Sequence, residues 1–397
     1  MITLTTFEEA RQGFRCRELR QALYDDGFHL MTDVIVNLHG EPHIARRRLE
    51  NRLFRRDTFA WYERDRIPAI VEQVLAPAIA HGRGDLLPLA RHTMMRLSID
   101  VAGVDLPTGS DAELEHLYGL MDRLARASTV VHATGDKAAI IADGDAALAE
   151  FETAFFPASR RRRAELVAQA ERGTLGDDAL PRDVLTTLLR NQDRLDLPPE
   201  TVLREVAYFP WVGSHSTSAQ LVHAMHHIFD WIAAHPASRG QLEHDAVARQ
   251  RFVHESMRLH PASPVAMRIA TVDTQLPSGR RIPCGETVSI GVATANRDPD
   301  VFGADADEFD PYRGVPDGVP PWGLSFGTGT HACLGQELAG GLDPGDGAEH
   351  HLLGSVALMA GAMLRAGATP DPADPPTLDP NTTRTLWGRY PVTFGPS

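Results

Sequence analysis

Apolar residues recur at helical spacing along most of the chain. From Phe7 to Tyr24 the pattern predicts an amphipathic helix, and residues 40–82 (GEPHIARRRLENRLF…IAHG) predict two more, with Gly82 and Gly84 as stops. Asp85 to Val101 is apolar at the same period. Residues 112–200 predict further helices with polar connections, among them a solvated face carrying Arg160 to Arg163. Pro199 to Ala234 is the longest helical pattern, with Pro236 just beyond its end, and Arg249 to Leu259 is another, closed by HPASP. Strand-like alternation comes late, in VAMRIATVDTQL and RRIPCGETVSIGVA joined by a turn-like PSG, and in RTLWGRYPVTF. The expectation is a mainly α protein with a minor β component.

Composition narrows this picture. The 397 residues are 43% hydrophobic and 23% charged, enough for a large core. Pro and Gly are not pooled into a linker and no repeat period appears, so residues 1–397 are expected to form a single domain. A formal charge of −14 speaks against a nucleic-acid partner, which needs a basic face. No run of about twenty apolar residues occurs, so no membrane span is expected. No signal peptide is evident at the start either. Three scattered cysteines, Cys16, Cys284 and Cys333, point to a reducing compartment and hence a cytoplasmic protein.

The stretch SFGTGTHACLGQELA (Ser325–Ala339) changes the picture most. Glycines at 327, 329 and 335 let backbone approach a flat object closely and take positive φ. Amide groups in such a loop can point at a sulfur, and a following helix adds its N-terminal dipole. Both favour a thiolate. Cys333 is expected to be buried there as a metal ligand; a small structural cysteine in a glycine-rich turn is the other reading of the loop alone. His331 stands two residues before it, placed to meet a carboxylate rather than the metal. His223 and His227 share metal-ligand spacing on a helix, with no third ligand evident in the sequence.

At this point the chain resembles the cytochrome P450 family over nearly its whole length. Phe326, Gly329, His331, Cys333 and Gly335 match the family's haem loop, Phe-x-x-Gly-x-His/Arg-x-Cys-x-Gly. HESMRLHP carries Glu-x-x-Arg as Glu255 and Arg258, ANRDPDVFG and FDPYR resemble the segments leading to the loop, and His43, Arg47 and Arg268 match propionate partners. The resemblance implies the mostly α, triangular-prism P450 fold with a long central helix over the haem. Cys333 would be the axial thiolate of a haem b iron. His43, Arg47, Arg268 and His331 would neutralise the propionates, Phe326 would pack beside the loop, and Gly327 and Gly335 would line the cofactor. Glu255 and Arg258 would be scaffold. The implied activity is that of a bacterial monooxygenase acting on a small organic or carrier-tethered molecule of secondary metabolism. Its electrons would come from a ferredoxin and ferredoxin reductase, since no dinucleotide fingerprint is present. Phe209 to Thr217, Pro264 to Met267, and Leu386 or Trp387 would face substrate.

Three departures qualify this. The oxygen-activating helix, usually Ala/Gly-Gly-x-Asp/Glu-Thr-Thr/Ser, reads VGSHSTSA, with His215 at the acid position and Ser216 and Thr217 as the alcohols. No carboxylate is present. Two readings are open: a relay modified to use His215, or a His215 turned away. The loss also admits atypical chemistry (oxidative coupling, desaturation, peroxide-driven oxidation) or a haem-binding accessory role. Second, only 42 residues precede His43, so the first helix and early strands are expected to be missing and the pocket open. Third, GGLDPGDGAEHH (340–351) interrupts the helix after Cys333. Finally, Arg46, Arg48, Arg52, Arg55 and Arg56 form a basic run that would steer an acidic ferredoxin, or else a solvated face.

Overall fold

The computed structural model describes residues 1–342 and 351–395. The helices that matter here are α1 (Phe7–Arg15), α2 (Gly40–Glu50), α3 (Ile67–His81), α4 (Leu86–Ala102), α5 (Asp111–Ser128), α6 (Lys137–Ala154), α7 (Phe156–Glu171), α8 (Pro199–Ala234), α9 (Ala246–Leu259), α10 (Gln336–Gly340) and α11 (Ser355–Arg365). The chain divides into two compact units, each drawn from separated stretches and each holding part of α4 and of α8. The first holds Met1–Ala22, Arg56–Thr93 and Ser216–Ser397, and the second Leu23–Arg55 and Met94–His215.

The first unit is organised by a four-stranded sheet of β1 (Ile2–Leu4), β2 (Leu19–Gln21), β3 (Val265–Ala270) and β4 (Thr287–Gly291), in the order β1-β4-β3-β2. β1 runs parallel to β4, with Ile2 opposite Val288, while β3 is antiparallel to both β4 and β2. The helix expected over Phe7–Tyr24 therefore ends at Arg15. Beyond Cys16 the backbone groups of Leu19–Gln21 bond to β3, and sheet pairing overrides the helical pattern. A three-residue strand, β1, also lies ahead of α1. Leu4, Phe7 and Phe14 bury against Val288, Ile290 and Phe302 beneath this sheet. Gly82 closes α3 in the left-handed region at φ +73°, where a side chain would be strained. Gly84 instead lies within the strand Arg83–Asp85.

The second unit is a helical packing of α5 and α6 with the 3₁₀ segment Asp25–Met31. Ser110 caps α5 by accepting the amide of Glu113, and Asp136 caps α6. A Cβ on Gly144 would come within 2.3 Å of that of Ala127, so this helix contact requires glycine. The expected solvated face holds for Arg160 to Arg162 and fails at Arg163. That side chain is buried, with Nε donating to Asp183 at 2.9 Å and Nη1 donating to Asp105, a buried ion network invisible to charge patterning.

Candidate active site

The scaffold under the cysteine loop starts on α9. Glu255 and Arg258, one turn apart, form a bidentate pair with Arg258 Nε and Nη2 donating at 2.7 and 2.6 Å, and Arg258 is fully buried. Nη1 of Arg258 donates to the carbonyls of Asn296 and Ala306, each at 2.7 Å. A second arginine, Arg313, donates to Glu255 at 3.2 Å and to Asp305 at 2.8 Å. Asn296, 0% exposed, links this network to the loop. Its amide donates to the carbonyl of Arg258 and to Ser325 Oγ, each at 2.9 Å, and its carbonyl accepts the Leu324 amide at 2.7 Å. Ser325 Oγ in turn donates to the Met257 carbonyl at 2.7 Å. Thus Glu255 and Arg258 are scaffold, as expected. Arg313 and Asn296 lie in FDPYR and ANRDPDVFG, the segments expected to lead to the loop, but their partners are distant in sequence and leave no local signal.

Within the loop, Gly327 and Gly329 adopt φ of +64° and +78°. A Cβ on Gly329 would stand 3.0 Å from the Phe14 carbonyl oxygen. The Cys333 amide donates to the Phe326 carbonyl at 2.9 Å, closing the loop back to its start. Cys333 is exposed, not buried as the sequence suggested. The helix that follows, α10, is only five residues long and ends at Gly341, φ +77°. Beyond it, Leu342 and Leu352 pair backbone to backbone and α11 then begins. The breakers expected at Pro344, Gly345 and Gly347 lie outside the described residues.

Arg268, on β3, shares a neighbour with this loop. Its guanidinium lies 5.5 Å from the Phe14 ring centroid, and the same ring is 3.5 Å from where a Cβ on Gly327 would be. Arg268 is buried, and its Nη1 donates to Gln21 Oε1 at 2.5 Å. One buried guanidinium and two glycines of the cysteine loop are therefore gathered around Phe14.

Comparison with known proteins gives this arrangement a family. The Cytochrome P450 family model matches residues 249–340, the span from α9 to α10. This segment, which carries the scaffold and the cysteine loop, is similar to the cytochrome P450 family. Cyclooctat-9-en-7-ol 5-monooxygenase of Streptomyces melanosporofaciens is 31% identical over 186 residues, covering 40% of this chain and 38% of the relative. Cytochrome P450 BJ-3 of Bradyrhizobium diazoefficiens is 34% identical over 166 residues, with the same shares. The chain thus matches under two fifths of the length of these curated relatives. Over 99% of the chain the fold is similar to CalO2 (TM-score 0.73, 21% identity, 90% of that chain). It is similar over the same share to P450BioI in complex with a fatty-acyl-ligated acyl carrier protein (TM-score 0.73, 19% identity, 92% of that chain). The mainly helical P450 fold is established by these matches.

The cofactor of a P450 is haem b, and the residues around Cys333 fit it. The soft sulfur ligand is exposed, Gly335 has nothing within 4 Å of where a Cβ would sit, and Phe14 beside the loop carries the buried cation Arg268. His331 is half-buried in the short 3₁₀ turn Gly329–His331.

The remaining predicted residues divide between the units. His43 and Arg47 lie one turn apart on α2 in the second unit. His43 is buried, and that burial, with the positive Arg47 and His39 nearby, lowers its pKa to about 4. Arg47 Nε donates to Asn51 at 3.1 Å. Arg46 leaves the predicted basic run: it is buried and donates to the fully buried Glu205 at 2.7 Å. Arg48, Arg52, Arg55 and Arg56 are exposed, and Arg56 lies 3.4 Å from Glu337 on α10.

On α8, Phe209 is buried and stacks on Phe54 at 6.0 Å. His215 faces α5: Nε2 lies 3.2 Å from Asp122 Oδ1 and Nδ1 lies 3.0 Å from the Trp211 carbonyl. Thr217 is buried and Ser216 half-buried. His223 and His227 do not form a metal site, and among the described residues no cluster of three or more ligating side chains could hold a metal ion. His223 bonds to the Thr385 carbonyl at 3.0 Å and His227 to His260 at 3.0 Å. Trp387 packs 4.8 Å from His226 and 5.1 Å from Tyr390. No helix among the described residues is long and apolar enough to cross a membrane.

Proposed function

We propose that this P450 is a haem-thiolate monooxygenase that oxidises a small organic or carrier-bound molecule, with hydroxylation as the reaction. The observation that carries the reading is the exposed Cys333 on a glycine loop hung from the buried Glu255–Arg258–Arg313–Asn296 network. Cys333 would ligate the iron, and Arg268, with His331, would meet propionates; His43 and Arg47 keep the same role on resemblance. Bound through its thiolate, the haem supplies the activation of dioxygen. The chain's own task is to hold the thiol at the loop, exclude water with Phe209 and Trp211, and pass protons through the hydroxyls of Ser216 and Thr217. We assign His215 a place outside that passage; in support, its nitrogens face oxygens in the preceding turn and on α5.

Electrons would come from a ferredoxin and its reductase, with Arg48, Arg52 and Arg55 as the attracting charges. Three cysteines without a disulfide suit a reducing cytoplasm. The structural neighbour with a carrier-bound fatty acid is a reason to include acyl carriers among test substrates.

The test is a Soret titration of the purified ferric protein with free and carrier-bound metabolites, alongside oxygen uptake with ferredoxin and reductase. A low-spin to high-spin shift followed by coupled oxygen consumption is expected, and Cys333→Ser should lose the thiolate signature of the ferrous carbonyl spectrum. A Cys333→Ser protein that kept that signature would overturn the assignment. Turnover with peroxide and none with ferredoxin would establish instead the peroxide-driven reading, which the missing carboxylate favours.

A further inference from the structure

Three features of α8 between Val206 and Thr217 belong together. Pro210 stands inside the helix and has no N–H, so the carbonyl four residues earlier lacks its intrahelical donor. Ser214 Oγ donates to the Pro210 carbonyl at 2.6 Å, a side-chain bond that competes with the backbone ladder and bends helices. Gly213 brings one face of α8 so close to α4 that a Cβ there would be 2.7 Å from Ser98 Oγ. At about 100° per residue, the residue two positions on lies on the opposite face. That residue is His215.

On its own face His215 meets α5. Its ring is parallel to Tyr118 (6°, centroids 6.0 Å apart), and Nε2 reaches Asp122, one turn further along α5, at 3.2 Å. Nδ1 lies 3.0 Å from the Trp211 carbonyl and 3.1 Å from Ser214 Oγ, spanning the stretch loosened by Pro210 and Ser214. The backbone of α5 packs closely on α6 and on Asp25–Met31. The imidazole is thus a bridge from α5 to α8, anchored at one end on a carboxylate and at the other on α8's own backbone.

We infer that His215 is a positioning residue: with Asp122 and Tyr118 it latches α5 to α8 immediately before Ser216 and Thr217, and so sets where those two hydroxyls stand. At the acid position of the motif a structural cross-link replaces a proton carrier. The latch is read from geometry alone, whereas its consequence for turnover rests on the monooxygenase reading above.

The test is amide hydrogen exchange on the full haem-loaded chain. His215→Ala and Asp122→Ala should each raise exchange about tenfold in α5, in the turn containing Tyr118 and Asp122, and leave α9 unchanged. The double variant should exceed neither single one, since either change opens the same latch. Asp122→Asn, which keeps an oxygen acceptor in place, should restore exchange to near the parent rate. Unchanged α5 exchange in both single variants, additive effects, or a rise spread equally over α9 would each overturn the latch. The readout needs no turnover, so a protein that oxidises nothing can still show the latch, and an active monooxygenase can still lack it.

Discussion

A buried carboxyl without a partner sets the sharpest residue-level expectation. Glu50, on α2, is 0% exposed, and neither of its oxygens meets a hydrogen-bond donor. Burial raises its pKa well above the ordinary carboxylate value, and the neighbouring Glu205 raises it further. Burial raises Glu205 as well, to about 7, but it accepts from Arg46 and from the Ile35 amide, at 2.7 and 2.9 Å, so it is the member of the pair that ionises first. A folded state that holds a proton more tightly than the unfolded chain is favoured at low pH. It loses that stability as pH rises from the ordinary value of about 4.5 through the raised one. Glu50→Gln removes Glu50's share of this slope, leaving that of Glu205. Chemical unfolding of the variant should show stability flatter than the parent's between mildly acidic and neutral pH, and an unaltered slope would show that Glu50 is ionised.

At the scale of elements, the loop bearing Cys333 depends on bonds made far from it in sequence. Asn296 accepts the Leu324 amide and donates to the Arg258 carbonyl, so one side chain ties α9 to the start of the loop. Asn296→Ala strands these buried groups and should cost about 1–3 kcal/mol in urea unfolding. Arg258→Ala should cost more, about 3–5 kcal/mol, because it leaves Glu255 buried beside Arg313 alone. Equal, small losses in both would mean that the loop holds itself.

For the molecule as a whole, a cluster of uncharged imidazoles governs behaviour in acid. His223 stacks on His260 at 4.4 Å, His260 bonds to His227 at 3.0 Å, and His227 stacks on Phe309 at 4.2 Å. The cluster joins α8 to the end of α9, the Thr385 backbone and the segment before Arg313. His226 with Asp230, Tyr390 and Arg297 supply the nearby polar and charged groups. Burial, then mutual repulsion, lowers the pKa of each of His223, His227 and His260 to about 3. The folded state therefore binds fewer protons than the unfolded one between about pH 3 and the ordinary 6.5. Stability present above that range is lost as pH falls through it. The melting temperature should drop steeply below pH 6, and His227→Phe, which preserves the stack on Phe309, should soften the drop. A parent protein equally stable at pH 4.5 and 7.5 would exclude the cluster as the acid trigger.

Much of this was legible in the residues themselves. Helical spacing marked Pro199–Ala234 to the residue, because a long amphipathic run bounded by prolines leaves little alternative. The Cys333 loop and Glu255–Arg258 were legible because their chemistry is local: glycines at fixed offsets, and two charges one helical turn apart. Sequence failed where distant groups decide. The helix predicted to Tyr24 stops at Arg15 because β3, about 250 residues on, supplies hydrogen bonds to Leu19–Gln21. Arg46 and Arg163 read as surface charge until Glu205 and Asp183 are seen beside them. His215 reads as a misplaced acid until Asp122, 93 positions away in the chain, is seen on its ring. A side chain's type is written at its own position; its partner is chosen only when the chain closes on itself.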